Sequence, residues 1–166
     1  KLYGLNAPIL STIGLGLFIG KDGASNGLKH SLIVAESVAI NSAGTQGLKT
    51  VFSRPRPYTS KAFQNTFPEA YNGEFLQEEI EHGDAYRSMP SGHTSSAGAV
   101  YFSIATLLSA QTDDMWKKWT LYGGATTLTA VAGWARVNYG VHHTTDTIAG
   151  ALLGAGIGHL VSRFHL

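Results

Sequence analysis

The sequence predicts an all-α fold, a single-domain bundle of about five or six helices with an active site at one end. Three observations point there. No segment alternates apolar and polar residues as a half-buried strand would. Long apolar stretches are separated by turn-forming clusters and capping residues. Charged residues make up only 14% of the 166 residues, so much of the chain must be buried. The net charge of +1 gives no global field for nucleic acid. There are no cysteines, which excludes disulfides, cysteine-based zinc sites and thiol catalysis. No long internal repeat is visible, and one domain is expected over 1–166.

A first helix is expected over Ile9–Ile19, with Pro8 near its start and Gly14, Gly16 and Gly20 weakening it. Residues 5–20 follow Lys1 as the core of a secretion signal would. No Ala-x-Ala ends them and the chain does not begin with Met, so the expectation is a helix from which an upstream segment has been removed. Lys21–Gly27 reads as a loop. Leu28 to Val51 reads as a long helix whose apolar face carries Leu28, Leu32, Ala35 and Ala39, with Glu36 a boundary residue reaching solvent. Two prolines in Ser53-Arg54-Pro55-Arg56-Pro57 then stop helix and strand alike. Lys49, Arg54 and Arg56 lie within eight residues of one another in a charge-poor chain, which suggests a local anion site.

Residues 58–89 mix six aromatics with an acidic run, and a short helix is expected over Glu74–Glu81. A connection of this length with aromatics reads as a lid or wall, the acids as a solvated face. Pro90-Ser91-Gly92-His93 opens the next helix, to about Ala110, with Ser91 or Thr94 as its cap. Such a start offers unpaired N–H groups and a positive dipole end to an anion, with His93 at its mouth. Asp113 or Asp114 caps a helix from Met115 to about Val137, whose Trp116, Trp119 and Trp134 are expected to pack. A last helix runs over Thr147–Phe164, with Gly150, Gly154 and Gly158 along one side, a spacing that lets two helices approach closely. No run of 18 strictly apolar residues exists, although 94–112 and 119–135 carry no formal charge. With a mean hydropathy of +0.01, we read these as buried helices of a soluble bundle.

Loop ends of a bundle gather at one end, and the polar residues cluster at such ends. Lys49, Arg56 and Arg136 are cations at helix ends or breaks; His142 and Asp146 are four apart and can bond on one helix face. A pocket of these groups suits a tetrahedral dianion. The chemistry that fits is phosphoryl transfer through a covalent intermediate. His142 attacks phosphorus, Asp146 fixes its tautomer, and His93 protonates the leaving alkoxide and then deprotonates water. The cations neutralise the equatorial oxygens, so the scheme calls for no metal and no cofactor.

The residues Lys49-x6-Arg56-Pro57, Pro90-Ser91-Gly92-His93 and Arg136-x5-His142-x3-Asp146 occur in that order. They resemble the three signature motifs of the type 2 phosphatidic acid phosphatase superfamily, which includes lipid phosphatases, bacterial nonspecific acid phosphatases and vanadium haloperoxidases. The motifs span 49–146, about three fifths of the chain. The resemblance implies that His142 is the nucleophile, His93 the acid and base, and Asp146 the orienting carboxylate. It also implies phosphate binding by Lys49, Arg56, Ser91, Gly92, His93 and Arg136, and residence in a bacterial envelope, facing the periplasm. Its substrate would be a phosphorylated lipid, an isoprenoid pyrophosphate or a small organic phosphate, with membrane association left open. Ala135 stands where the family usually has Ser, and His143 matches no signature position. Three rival readings remain at this stage: a vanadate-dependent haloperoxidase, a helical module that binds a phosphorylated headgroup without turnover, and a metal hydrolase using His142, His143 and Asp146.

Overall fold

A computed structural model describes residues 24–66 and 73–166. The expected helix over Ile9–Ile19 lies outside the described residues. Those residues form an all-α bundle with no strand among them. Four long helices build it: α1 (Ala24–Phe52), α4 (Gly92–Ser109), α5 (Met115–Asn138) and α6 (Thr144–Phe164). Two short helices, α2 (Lys61–Thr66) and α3 (Gly73–Glu81), lie in the long connection. The expected loop over Lys21–Gly27 is corrected from Ala24 onward, where α1 has already begun. The last helix likewise starts three residues early, at Thr144.

Helix α4 is the centre, packed on α6, α5 and α1. Its seam with α6 is set by glycines. A Cβ at Gly150, Gly154 or Gly158 would fall 2.5, 1.9 and 2.4 Å from the carbonyl oxygens of Ser91, Ser95 and Ala99. The two backbones therefore touch along three turns, as the four-residue glycine spacing predicts. The approach at Gly133 of α5 is looser: a Cβ there would stand 3.3 Å from the side chains of Thr94 and Thr147.

The buried face of α1 is not the expected one. Leu28 and Leu32 are 56% and 61% exposed, and Ala35 and Ala39 are exposed too. The inward face carries Val34, Ser37, Asn41, Thr45 and Lys49. Spacing marks a stripe without saying which side it faces. Here small hydroxyls bond within α1 and across to α4: Ser37 Oγ donates to Ile33 O at 3.0 Å, Thr45 and Ser95 share a bond of 3.2 Å, and Ser95 Oγ donates to Asn41 Oδ1. Among the described residues, Ile33, Val34, Val100 and Leu107 form an apolar patch, flanked by Ile104 and Val161.

The tryptophans do not pack either. Trp116, Trp119 and Trp134 are 81%, 69% and 67% exposed. Helix α5 meets its neighbours through the small residues Ala125, Thr129 and Gly133, which turns the indoles outward. Asp114 caps α5, its Oδ1 accepting from Trp116 N–H at 2.9 Å. Glu36 reaches solvent as expected and pairs with His165 at 2.8 Å. In the long connection, Tyr58 is almost fully buried and donates to Glu79 at 2.8 Å, tying the start of the segment to α3.

Candidate active site

Four long helices put their ends together at one pole of the bundle. Lys49 comes from the last turn of α1 and Arg136 from the last turn of α5. His93 lies in the first turn of α4, Asp146 in the first turn of α6, and His142 in the loop just before it. The segment 53–56 leaves α1 and runs beside 85–88. Arg56 N–H donates to Ala85 O at 2.8 Å, and Ser88 N–H donates to Arg54 O at 3.0 Å. Ser91 N–H donates to Asp146 O at 2.9 Å, which pins the start of α4 to the first turn of α6.

Ser91 occupies the N-cap position of α4, but its side chain caps nothing; Thr94 Oγ1 donates to Ser91 Oγ at 3.0 Å instead. The expected cap is therefore not made, and the first-turn amides keep their donors. Lys49 Nζ lies over that turn, 3.6 Å from where a Cβ on Gly92 would stand. A Cβ there would be in ordinary contact with the ammonium. Lys49 and Arg56 have no carboxylate in ion-pair range among the described residues, and Arg56 stacks over Tyr58 at 5.9 Å.

These cations act on one another and on the imidazoles. Burial and then Arg56 lower the Lys49 ammonium to about 8. His93, whose ring still opens to solvent, is lowered to about 4 by desolvation, Arg136, His142, Lys49 and Arg56. His142 is buried and also lowered, chiefly by desolvation, with Asp146 opposing. Both rings are therefore neutral near pH 7.

Asp146 is fully buried. Burial alone would raise it, but His142, Ser88, the His143 amide and Arg54 outweigh that and hold it well below the ordinary carboxylate range. The geometry corrects one expectation. His142 Nδ1 and Asp146 Oδ2 are 3.8 Å apart, an ion-pair distance and not a direct hydrogen bond. The carboxylate is occupied: Oδ2 accepts from Ser88 Oγ at 2.5 Å and from His143 N–H at 2.9 Å, and Oδ1 accepts from Arg54 Nη1 at 2.7 Å. It is Nδ1 of His142 that faces this group.

The structure thus brings together Lys49, Arg56, Ser91, Gly92, His93, Arg136, His142 and Asp146 at one pole. Two further residues, Arg54 and Ser88, belong to it and are absent from the three motifs. Arg54 stood out only as one of three cations near the prolines; nothing in the sequence marks Ser88. His143 brings Nε2 within 3.3 Å of Pro55 O, and no cluster of three metal-ligating side chains occurs among the described residues.

A family model described as the PAP2 superfamily matches residues 30–166, a span that contains every site residue named above. Its members are generally phosphatases acting on phosphorylated small molecules or lipids, which supports a phosphatase-type function here in broad terms. The match covers most of the chain and agrees with the all-α architecture, so the protein belongs to the PAP2 superfamily.

Proposed function

We propose that this protein is a phosphatase that hydrolyses a phosphomonoester, without a metal, through a phosphohistidine on His142. One observation carries the reading: two imidazoles, held neutral, face a group of cations of which Lys49 and Arg56 have no carboxylate partner among the described residues. Binding alone needs no pair of imidazoles. The His142 Nε2 lone pair forms the N–P bond as the P–O bond to the leaving group breaks. His93 supplies the proton to the leaving oxygen. A bound dianion cancels the surrounding cations and raises His93 from its low value, so the ring can carry that proton. In the second step His93 takes a proton from water, the water oxygen bonds to phosphorus, and the N–P bond breaks. Lys49, Arg56, Arg136 and the first-turn amides of α4 hold the phosphoryl oxygens throughout.

The outer surface supports membrane association, and we place the enzyme in a bacterial envelope with its site toward the periplasm as part of the same proposal. Ile148, Leu152, Leu160 and Phe164 form an exposed row on α6, a helix long and apolar enough to cross a membrane. Trp134 and Tyr139 lie exposed at the site end of α5. Aromatic residues there suit the headgroup level and favour a phosphate carried on a lipid or isoprenoid.

Hydrolysis of a chromogenic aryl phosphate in excess chelator, with and without vanadate, tests the mechanism. Chelator-resistant, vanadate-sensitive turnover that His142→Ala abolishes is expected. Equal activity in wild type and His142→Ala would overturn it. A phospholipid phosphate in mixed micelles, turned over faster than its soluble analogue, would support the lipid reading.

A further inference from the structure

Ser88 is fully buried, as is Asp146, and His142 is nearly so. The Ser88 hydroxyl lies 2.5 Å from Asp146 Oδ2 and 3.5 Å from His142 Nδ1, while the carboxylate and imidazole are themselves 3.8 Å apart. A hydroxyl has one proton. A carboxylate so firmly ionised can only accept, so Ser88 Oγ–H points at Asp146. Its lone pairs then face His142, and a proton on Nδ1 is the donor that fits them. The other carboxylate oxygen is held by Arg54, whose Nη1 also donates to Thr145 Oγ1 at 2.6 Å. Arg54 and Ser88 are themselves joined through the bond from Ser88 N–H to Arg54 O.

We propose that Ser88 and Arg54 are positioning residues: Ser88 links Asp146 to His142 and fixes the histidine proton on Nδ1, and Arg54 clamps the carboxylate that orients Ser88. This deepens the phosphohistidine reading and rests on it. No bond to phosphorus is made by either residue. Their effect is on which ring nitrogen is free and where it points, a choice that decides whether a histidine can attack at all. The carboxylate reaches the imidazole through an intervening hydroxyl, and the charge formed on His142 in the intermediate is met across that link.

The test is the tautomer of His142 in the whole chain, read by ¹⁵N NMR of labelled histidine, alongside steady-state kinetics on an aryl phosphate. Wild type should show neutral His142 protonated on Nδ1. Ser88→Ala should give a mixture of tautomers and a kcat lower by roughly ten- to a hundredfold, with KM changed much less. Ser88→Thr, which keeps the hydroxyl, should restore both readouts. Arg54→Gln should lower kcat in the same manner, and Arg54→Lys should recover part of it. An unchanged tautomer together with an unchanged kcat in Ser88→Ala would overturn the proposal. So would a loss that Ser88→Thr fails to rescue in a folded protein. If Ser88→Ala does not fold, Ser88→Thr and the Arg54 pair carry the same comparison. The NMR readout needs no turnover: a wild type that forms no phosphoenzyme would sink the phosphatase reading, while the tautomer would still decide the roles of Ser88 and Arg54.

Discussion

Replacing Gly154 by Ala tests whether the α4–α6 seam is as close as the structure shows. The new Cβ would stand 1.9 Å from Ser95 O, with Ser95 C at 2.7 Å and Ala99 N at 2.9 Å. All three are backbone atoms, so no side chain can swing aside. Ordinary contact begins near 3.4 Å, which leaves the helices about 1.5 Å too close at this point. They must separate, and the separation strains the bond from Ser91 N–H to Asp146 O, one turn back along α4 and about two along α6. Overpacking of this kind costs about 1–3 kcal/mol even after the helix-propensity gain of Ala over Gly. For a chain of this size that is a fall in Tm of about 3–10 °C. Gly156, two residues on, has nothing within 4 Å, so Gly156→Ala should be neutral or stabilise by up to about 1 kcal/mol. Thermal unfolding of the two variants by circular dichroism, in one buffer and detergent, makes the comparison. Equal melting of Gly154→Ala and Gly156→Ala would refute the backbone-on-backbone seam, and with it the argument that glycine spacing positions the site.

Three further outcomes follow from the same structure. Lys49 is lowered to about 8 by burial and by Arg56, so its charge is lost as pH rises through that value; kcat/KM, which reports the free enzyme, should fall above about pH 8, and Lys49→Arg should remove that limb. Asp114 caps α5 at the pole opposite the site; Asp114→Ala should cost about 1 kcal/mol in denaturant unfolding while leaving vanadate inhibition unchanged. Gly140 has φ +66, and a Cβ added there would stand 1.9 Å from the Phe63 ring; Gly140→Ala should lower kcat by shifting the loop that carries His142, and adding Phe63→Ala should recover only part, because the backbone conformation stays unfavourable for Ala.

How much of the molecule is legible in its sequence depends on what each residue needs from its neighbours. Glycines spaced by four ask only for another backbone, so the roles of Gly150, Gly154 and Gly158 can be read from spacing alone. Asp114 as a cap needs only its own helix, and it too is legible. The face of α1 is not, because Leu28 and Leu32 look like core residues until the partner is known. That partner, α4, offers Ser95, whose hydroxyl bonds Asn41 and Thr45, so the polar side of α1 faces in. The tryptophans of α5 fail for the same reason. At the site, the four-residue step from His142 to Asp146 reveals that they are neighbours. It cannot show Ser88 between them, since Ser88 arrives from 54 residues before His142 and Arg54 from 92 before Asp146. Motif spacing records short-range geometry, and both of these contacts are long-range.

The direction of the chain explains why chemistry collects at this pole. Helices α1 and α5 arrive there with their C-terminal ends, and α4 and α6 depart with their N-terminal ends. A helix C-terminus carries partial negative charge and favours a cation, and Lys49 and Arg136 sit in those last turns. A helix N-terminus carries partial positive charge and favours an anion. At α6 that anion is the protein's own Asp146, bound by the His143 amide. At α4 no side chain caps the first turn, so its amides suit the phosphate of the proposed substrate. The two N-termini are thus used differently. One is filled by a carboxylate 3.8 Å from His142 Nδ1, and the other has no side-chain cap and lies beside Lys49 and His93. An antiparallel arrangement of four helices supplies both at once, and the seam of glycines keeps them a few ångströms apart.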